Sequence, residues 1–362
     1  MEGMADINAQ WWCGKRVLVT GHTGFKGTWL SLWLQSLGAQ LTGFALSPST
    51  GPSMFELTCA ANGMRSVIGD IRDAGAIARL IADVEPEVVF HMAAQPLVRY
   101  SYEHPIETYH TNVLGTVHLL DAVRRARSVR AVVNVTSDKC YENREWVWGY
   151  REQDPMGGFD PYSSSKGCAE LVTAAFRNSY FPPAEFGRHR CAVASARAGN
   201  VIGGGDWAED RLIPDILRAI AAQEPVRIRS PKAIRPWQHV LEPLSGYLLL
   251  AERLSVDGPG VADSWNFGPS DSDVRSVEQI VEQLTRHWGA GSTWIADGAD
   301  HPHEAGYLKL DSSKARQILG WTTRWSLEES LARIVDWYQA WIRGDDMRAC
   351  TFAQIEDYMR RA

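Results

Sequence analysis

A short apolar run followed by three spaced glycines constrains this chain more than any other feature. Arg16-Val17-Leu18-Val19-Thr20 reads as a buried strand, and Gly21, Gly24 and Gly27 come directly after it. The segment Thr20-Gly21-His22-Thr23-Gly24-Phe25-Lys26-Gly27 opens a helical pattern over 24–37 that stops at Gly38. In such a cradle the first glycine makes the turn. The second lets a pyrophosphate approach the backbone, and the third lets the helix lie close on the sheet. The helix N-terminus adds free amides and the positive end of its dipole. The spacing predicts dinucleotide binding at Gly21, Thr23, Gly24, Phe25, Lys26 and Gly27.

The same period change recurs downstream. Strand patterns over 40–46, 65–69, 87–91, 131–135 and 191–196 alternate with helical patterns over 73–82, 112–126 and 162–176. This alternation predicts an α/β fold, a Rossmann-type doubly wound parallel sheet with helices on both faces. Ligands of such sheets lie beyond the carboxyl ends of the strands. Gly21, Asp70, His91, Ser137 and Asn200 all fall at those ends. Beyond residue 200 the pattern loosens into helices near 212–222, 243–254, 276–288 and 327–342, with strands near 226–229 and 293–296. The 362 residues suit about two domains at ~150 residues each. We expect a nucleotide-binding domain over 1–196 with a return segment about 236–268, and a smaller mixed α/β substrate domain over 197–362.

Composition narrows the function classes. A net charge of −6 gives no footprint for a nucleic-acid partner. Six cysteines occur without a CxxC pair or ligand spacing, which predicts free thiols and no metal site. No apolar run reaches the ~18–20 residues of a membrane helix, and 1–10 has no apolar signal core. The expected setting is cytoplasmic, with no membrane partner.

Two motifs carry chemistry. Tyr162 and Lys166 stand four residues apart, so a helix stacks them on one face. An ammonium beside a phenol favours phenolate, which can act as a base. Thr136-Ser137-Asp138-Lys139 adds a hydroxyl, an acid and an amine at a strand end. Asp70, followed by Ile71, has two readings: an acceptor for an adenine amine, or a helix cap. Ala93 and Ala94, before Gln95, either admit a nicotinamide ribose or simply pack tightly. Asn112 either positions Tyr162 or a water, or caps a helix. The second strand runs out into Phe44-Ala45-Leu46-Ser47-Pro48-Ser49, with neither the ribose-binding acid nor an arginine for a 2′-phosphate. The residues alone leave NAD and NADP both open.

On these motifs the chain resembles the extended short-chain dehydrogenase/reductase superfamily. Narrower motifs are Thr136-Ser137-Asp138-Lys139-Cys140-Tyr141-Glu142-Asn143, the segment from Arg197 to Trp207 with Gly203-Gly204-Gly205, Ile234-Arg235-Pro236-Trp237-Gln238-His239-Val240, and His303-Glu304-Ala305. With them it is similar to the nucleotide-sugar 4,6-dehydratases, in their CDP-glucose branch, over essentially the whole chain. The resemblance implies NAD as cofactor, CDP-D-glucose as substrate and a homodimer. It implies oxidation at C4, elimination across C5 and C6, and return of hydride to C6. Tyr162 would be the base at the 4-hydroxyl, Ser137 its hydrogen-bonding partner, and Lys166 the holder of the nicotinamide ribose. Asp138 matches the family's acid. Related dTDP-glucose enzymes carry a glutamate where this chain has Lys139, so that lysine is either the C5 base or a group that holds a water or enolate. A lysine base requires burial or nearby positive charge. Asn200 and Arg235 are the diphosphate candidates. Asn112, Arg211, His303 and Glu304 are further substrate candidates. A 4-epimerase on the same fold, which needs no acid at C6, and a catalytically silent dinucleotide sensor are the alternatives.

Overall fold

The computed structural model describes residues 6–289, 293–297 and 306–361. Seven strands form the central sheet: β1 (Arg16–Thr20), β2 (Gln40–Ala45), β3 (Arg65–Ile68), β4 (Val88–His91), β5 (Ala131–Val135), β6 (Ala192–Arg197) and β7 (Ser264–Asn266). Their order is β7-β6-β5-β4-β1-β2-β3 and every pairing is parallel. The order reverses between β1 and β4, which opens a crevice at their carboxyl ends. Register places Thr20 beside His91, and His91 beside Asn134.

Strands β4, β5 and β6 are buried along their whole length, because helices cover both faces of the sheet. Val17 and Val19 enter one core, with Trp29, Trp33, Val133 and Leu244. Leu18 enters the other, with Ile77, Val89, Leu120 and Val132. This is the period-two alternation of a strand buried on both sides.

The helices used below are α1 (Phe25–Ser36), α2 (Ala74–Val84), α3 (Gly115–Arg125), α4 (Pro161–Tyr180), α5 (Leu212–Ala221), α6 (Leu241–Asp257), α7 (Val277–Trp288), α8 (Leu327–Arg343) and α9 (Met347–Met359). Asp160 caps α4 by accepting from Ser163 N at 2.9 Å, with Pro161 in its first turn. The 112–126 pattern begins earlier than its periodicity suggests. Helix Pro105–Tyr109 runs into one π turn, His110–Leu114, before α3. Pro105 in the first turn is the start signal that apolar spacing alone does not show. Beyond β6 the chain returns to the sheet: α6 packs on β5 and β6, 264–266 supplies β7, and α9 lies against α1. Three two-stranded pairs lie apart from the sheet: Val201–Ile202 with Gln238–His239, Ile234–Arg235 with Arg275–Ser276, and Val226–Ile228 with Trp294–Ala296.

Candidate active site

The glycine turn is built for close approach. Gly21 sits at φ +77°, and a Cβ there would come within 2.8 Å of Met92 and Ala93 backbone. A Cβ at Gly27 would lie 2.1 Å from Gly21 O, so only glycine lets α1 start this close to β1. Gly24 precedes α1 without a capping side chain and is exposed, leaving the first amides open. Thr23 Oγ1 donates to Leu46 O at 2.8 Å. The segment directly after β2, residues 46–50, holds no carboxylate. His22 occupies that side instead, packed over Gly43 and hydrogen-bonded through Nε2 to Ser66 Oγ at 2.7 Å. Burial pushes its pKa down to about 4, so it is neutral.

Asp70 does not cap a helix. That task falls to Asp73, which accepts from Ala76 N at 2.9 Å. Asp70 accepts from the Arg72 guanidinium at 2.6 and 2.8 Å and from Arg72 N at 2.8 Å, which holds its carboxyl below the usual range. Ile71 is buried against Gly115. Ala93 N donates to Thr20 Oγ1 at 3.2 Å, and the same hydroxyl is bonded to His91 Nδ1 at 2.8 Å. The Ala93–Gln95 segment is thus pinned from below. Asn112 completes it, and not as a helix cap. Buried in the π turn, its Oδ1 accepts from Gln95 N at 2.8 Å, while Nδ2 donates to Gln95 O at 3.1 Å and Ser165 Oγ at 2.8 Å. It clamps the strand-end loop to α4, the helix of Tyr162 and Lys166.

Tyr162 and Lys166 are both buried on α4. Burial pushes the Tyr162 phenol up to about 12. The groups that draw it back are a hydrogen bond with Ser137 and the Arg211 charge. Burial weakens the Lys166 charge itself, lowering it to about 8, against the pull of Glu170. Lys26 is a second amine here. Its Nζ donates to Tyr247 Oη at 3.3 Å, and burial together with the Lys166 and Arg211 charges lowers it to about 7.

Asp138 lies in the short turn after β5. Ser137 Oγ donates to its Oδ1 at 3.0 Å. Its Oδ2 presses on Gly199 and is buried without a hydrogen-bond partner among the described residues. Burial pushes its pKa up, while Lys139 and Arg235 pull it back. A buried carboxyl with a spare oxygen is poised to hold a proton. Lys139 is half-buried, and its backbone N donates to Ser137 Oγ at 3.2 Å. Arg235 is buried and donates to Ile234 O at 3.0 Å. Arg211 is held by Asp206 at 2.9 Å. Asn200 adopts φ +27° and its carbonyl accepts from Gln238 N at 3.3 Å. His303 and Glu304 lie outside the described residues.

The fold therefore brings Ser137, Asp138, Lys139, Tyr162, Lys166, Arg211 and Arg235 into one electrostatic neighbourhood. Sequence motifs do not reveal Tyr247 or Glu170 as part of it. Tyr247 lies in an apolar helical pattern with no local signal. Glu170 sits four residues after Lys166, a same-face position whose helical spacing is visible but whose partners are not.

Comparison with known proteins agrees with this geometry. The model of the GDP-mannose 4,6 dehydratase family matches residues 18–334. The chain is 61% identical over 353 residues to a CDP-glucose 4,6-dehydratase of Salmonella typhimurium, covering 98% of each protein. It is 27% identical to a dTDP-glucose 4,6-dehydratase of Xanthomonas campestris, over 90% of this chain and 95% of that protein. Among solved structures, MoeE5 in complex with UDP-glucose and NAD superposes with a TM-score of 0.75 at 26% identity, over 91% of this chain and all of the other. A UDP-glucose 4-epimerase of Thermotoga maritima shares the fold at a TM-score of 0.78 and 22% identity, covering 90% of this chain and 99% of that one. By the family match and the 61% identical relative, the chain is a member of the GDP-mannose 4,6-dehydratase family of short-chain dehydrogenase/reductase-type nucleotide-sugar dehydratases.

Proposed function

We propose that this protein converts CDP-D-glucose to CDP-4-dehydro-6-deoxy-D-glucose and water, with NAD as its cofactor. The observation that carries the reading is Asp138: a buried carboxyl with an unpartnered oxygen, one residue from the Ser137 that bonds Tyr162. Oxidation of an alcohol needs Tyr162 and Lys166 but no such acid. The relative that is 61% identical over 98% of both chains supplies the substrate class.

The cradle fits a dinucleotide, because the exposed Gly24 leaves the first amides of α1 uncapped for a pyrophosphate. Gly21, Thr23, Gly24, Phe25, Lys26 and Gly27 would hold the pyrophosphate side, Asp70 and Ile71 the adenine, and Ala93, Ala94, Gln95, Tyr162 and Lys166 the nicotinamide ribose. NAD held there would supply the acceptor for the C4 hydride and its donor back to C6. Tyr162 takes the proton of the 4-hydroxyl, its phenolate favoured by Ser137 and Arg211. The 4-ketone acidifies the C5 proton. Asp138 then protonates the departing 6-hydroxyl, which leaves as water. We assign Lys139 to the C5 side, as base or as the charge that steadies the enolate. Arg235 and Asn200 would hold the diphosphate, Arg235 as a bidentate guanidinium. Arg211 and Asn112 would border the sugar. His303 and Glu304 remain assigned on resemblance alone.

The oligomer we propose is a homodimer. Ile106, Leu114, Leu171 and Tyr180 are all exposed on helices Pro105–Tyr109, the adjoining π turn and α4. A two-fold pairing would cover them on both copies.

The test is incubation with NAD and, separately, CDP-, dTDP-, GDP- and UDP-glucose. A 4-keto-6-deoxy product, which absorbs in strong base, is expected from CDP-glucose. An epimer, or no product from any of the four, overturns the reading.

A further inference from the structure

Behind the reaction centre lies a buried ion pair that the dehydration chemistry does not use. Glu170, on α4, is one helical turn beyond Lys166 and two beyond Tyr162. Its carboxylate accepts from three side chains on two elements. Thr136 Oγ1, from the end of β5, bonds Oε1. Ser195 Oγ at 2.6 Å and Arg197 Nη2 at 2.7 Å, both from β6, bond Oε2. Arg197 Nη1 donates onward to Tyr141 Oη at 2.7 Å, and that hydroxyl donates to Asn266 Oδ1 on β7 at 2.7 Å. The side chains of Glu170 and Arg197 are each 4% exposed. Burying two charges is worth its desolvation only where the geometry is fully satisfied or serves a specific arrangement. Thr136 immediately precedes Ser137 and Asp138, so this network joins the two chemistry-bearing segments through one carboxylate.

We infer that Glu170 is a positioning residue for both halves of the reaction centre. It holds the Ser137–Asp138 segment against the helix of Tyr162 and Lys166, and it sets a carboxylate one turn from the Lys166 ammonium. The groups around Lys166 make that charge matter. Cys140, from the turn after β5, is pushed far up by burial and stays a neutral thiol. His91, from the end of β4, is lowered to about 3 by burial and stays neutral. Lys26, from the first turn of α1, adds like charge. Against burial, Glu170 acts first and Cys140 second to keep Lys166 protonated. Around Glu170 itself stand Arg197 and, on its own helix, Arg177, whose charge it also steadies.

The inference rests on the proposed oxidation by Tyr162 and Lys166, and its test has an arm free of substrate. The midpoint of Lys166 protonation is read by acetic anhydride labelling across pH with mass spectrometry, alongside kcat against pH with CDP-glucose. Glu170→Gln is expected to lower the labelling midpoint by about one pH unit, and the alkaline limb of kcat should fall with it. Glu170→Asp keeps the charge and is expected to restore the wild-type midpoint. A folded Glu170→Gln protein with an unmoved midpoint overturns the proposal, as does an aspartate variant that behaves like the glutamine one. If Glu170→Gln does not fold, Glu170→Gln combined with Arg197→Gln removes both buried charges and should show the same shift. Failure of that pair to fold marks the network as structural only and overturns the proposal. If the wild type is inert toward CDP-glucose while the Glu170→Gln midpoint still moves, the substrate reading is refuted and this one stands.

Discussion

The Asp138 carboxyl is driven toward its neutral form by burial, and its free oxygen is the only one not committed to Ser137. Replacing it by asparagine removes the acid but keeps the shape. Asp138→Asn is expected to slow dehydration by 10²-fold or more while the 4-hydroxyl is still oxidised. The check is build-up of NADH absorbance without a matching 4-keto-6-deoxy product, and unchanged turnover would exclude Asp138 as the acid. Lys139→Met separates the two roles left to that residue. If Lys139 is the base, solvent deuterium no longer enters C5. If it only steadies the enolate, exchange slows but persists. Spacing alone makes Tyr162 and Lys166 legible, since four residues on a helix is one face whatever the fold. The state of the phenol is not legible that way. Its rise to about 12 comes from burial that many distant residues create.

At the scale of elements, the strand–turn–helix at residues 16–36 is the most constrained unit. Gly27→Ala would drive a methyl onto Gly21 O and force the turn off β1. NADH affinity, followed by fluorescence titration, is expected to fall at least ten-fold, and an alanine protein that binds normally would show that the cradle relaxes. The N-terminal segment attaches differently. Glu252 on α6 accepts from Trp12 Nε1 at 2.6 Å and Asn8 N at 3.0 Å, and burial raises its pKa to about 7. A carboxyl whose folded pKa is raised contributes stability fully below its unfolded value of 4.5, and that contribution is lost as pH rises through about 7. Glu252→Gln has no such proton to lose. Its Tm relative to wild type is therefore expected to be higher at pH 8 than at pH 5, measured by calorimetry at both. The strands and α1 are legible from periodicity. The helical start at Pro105 and the π turn that aims Asn112 are not, because the turn exists to satisfy Gln95 and Ser165, which lie 17 and 53 residues away.

For the whole molecule, the exposed apolar residues on helix Pro105–Tyr109 and α4 mark the face of the proposed dimer. Ile106→Glu combined with Leu171→Glu is expected to give a monomer in sedimentation velocity, and an unchanged wild-type dimer would place the interface elsewhere. Charge substitution at these exposed positions should leave the fold intact, since neither residue enters a core. The sequence by itself determined the alternation that makes a parallel sheet, the glycine cradle and the pairing of tyrosine with lysine. Each depends on spacing over a few residues, which helix and strand geometry convert directly into position. The tertiary structure decided which groups are charged and what they face. Lys26 meets Tyr247 across 221 residues of chain, and Thr136 meets Glu170 across 34. Burial sets the raised pKa of Asp138, the neutrality of His91 and the weakened charge of Lys166. Desolvation depends on everything packed around a group, so no local stretch of sequence contains it.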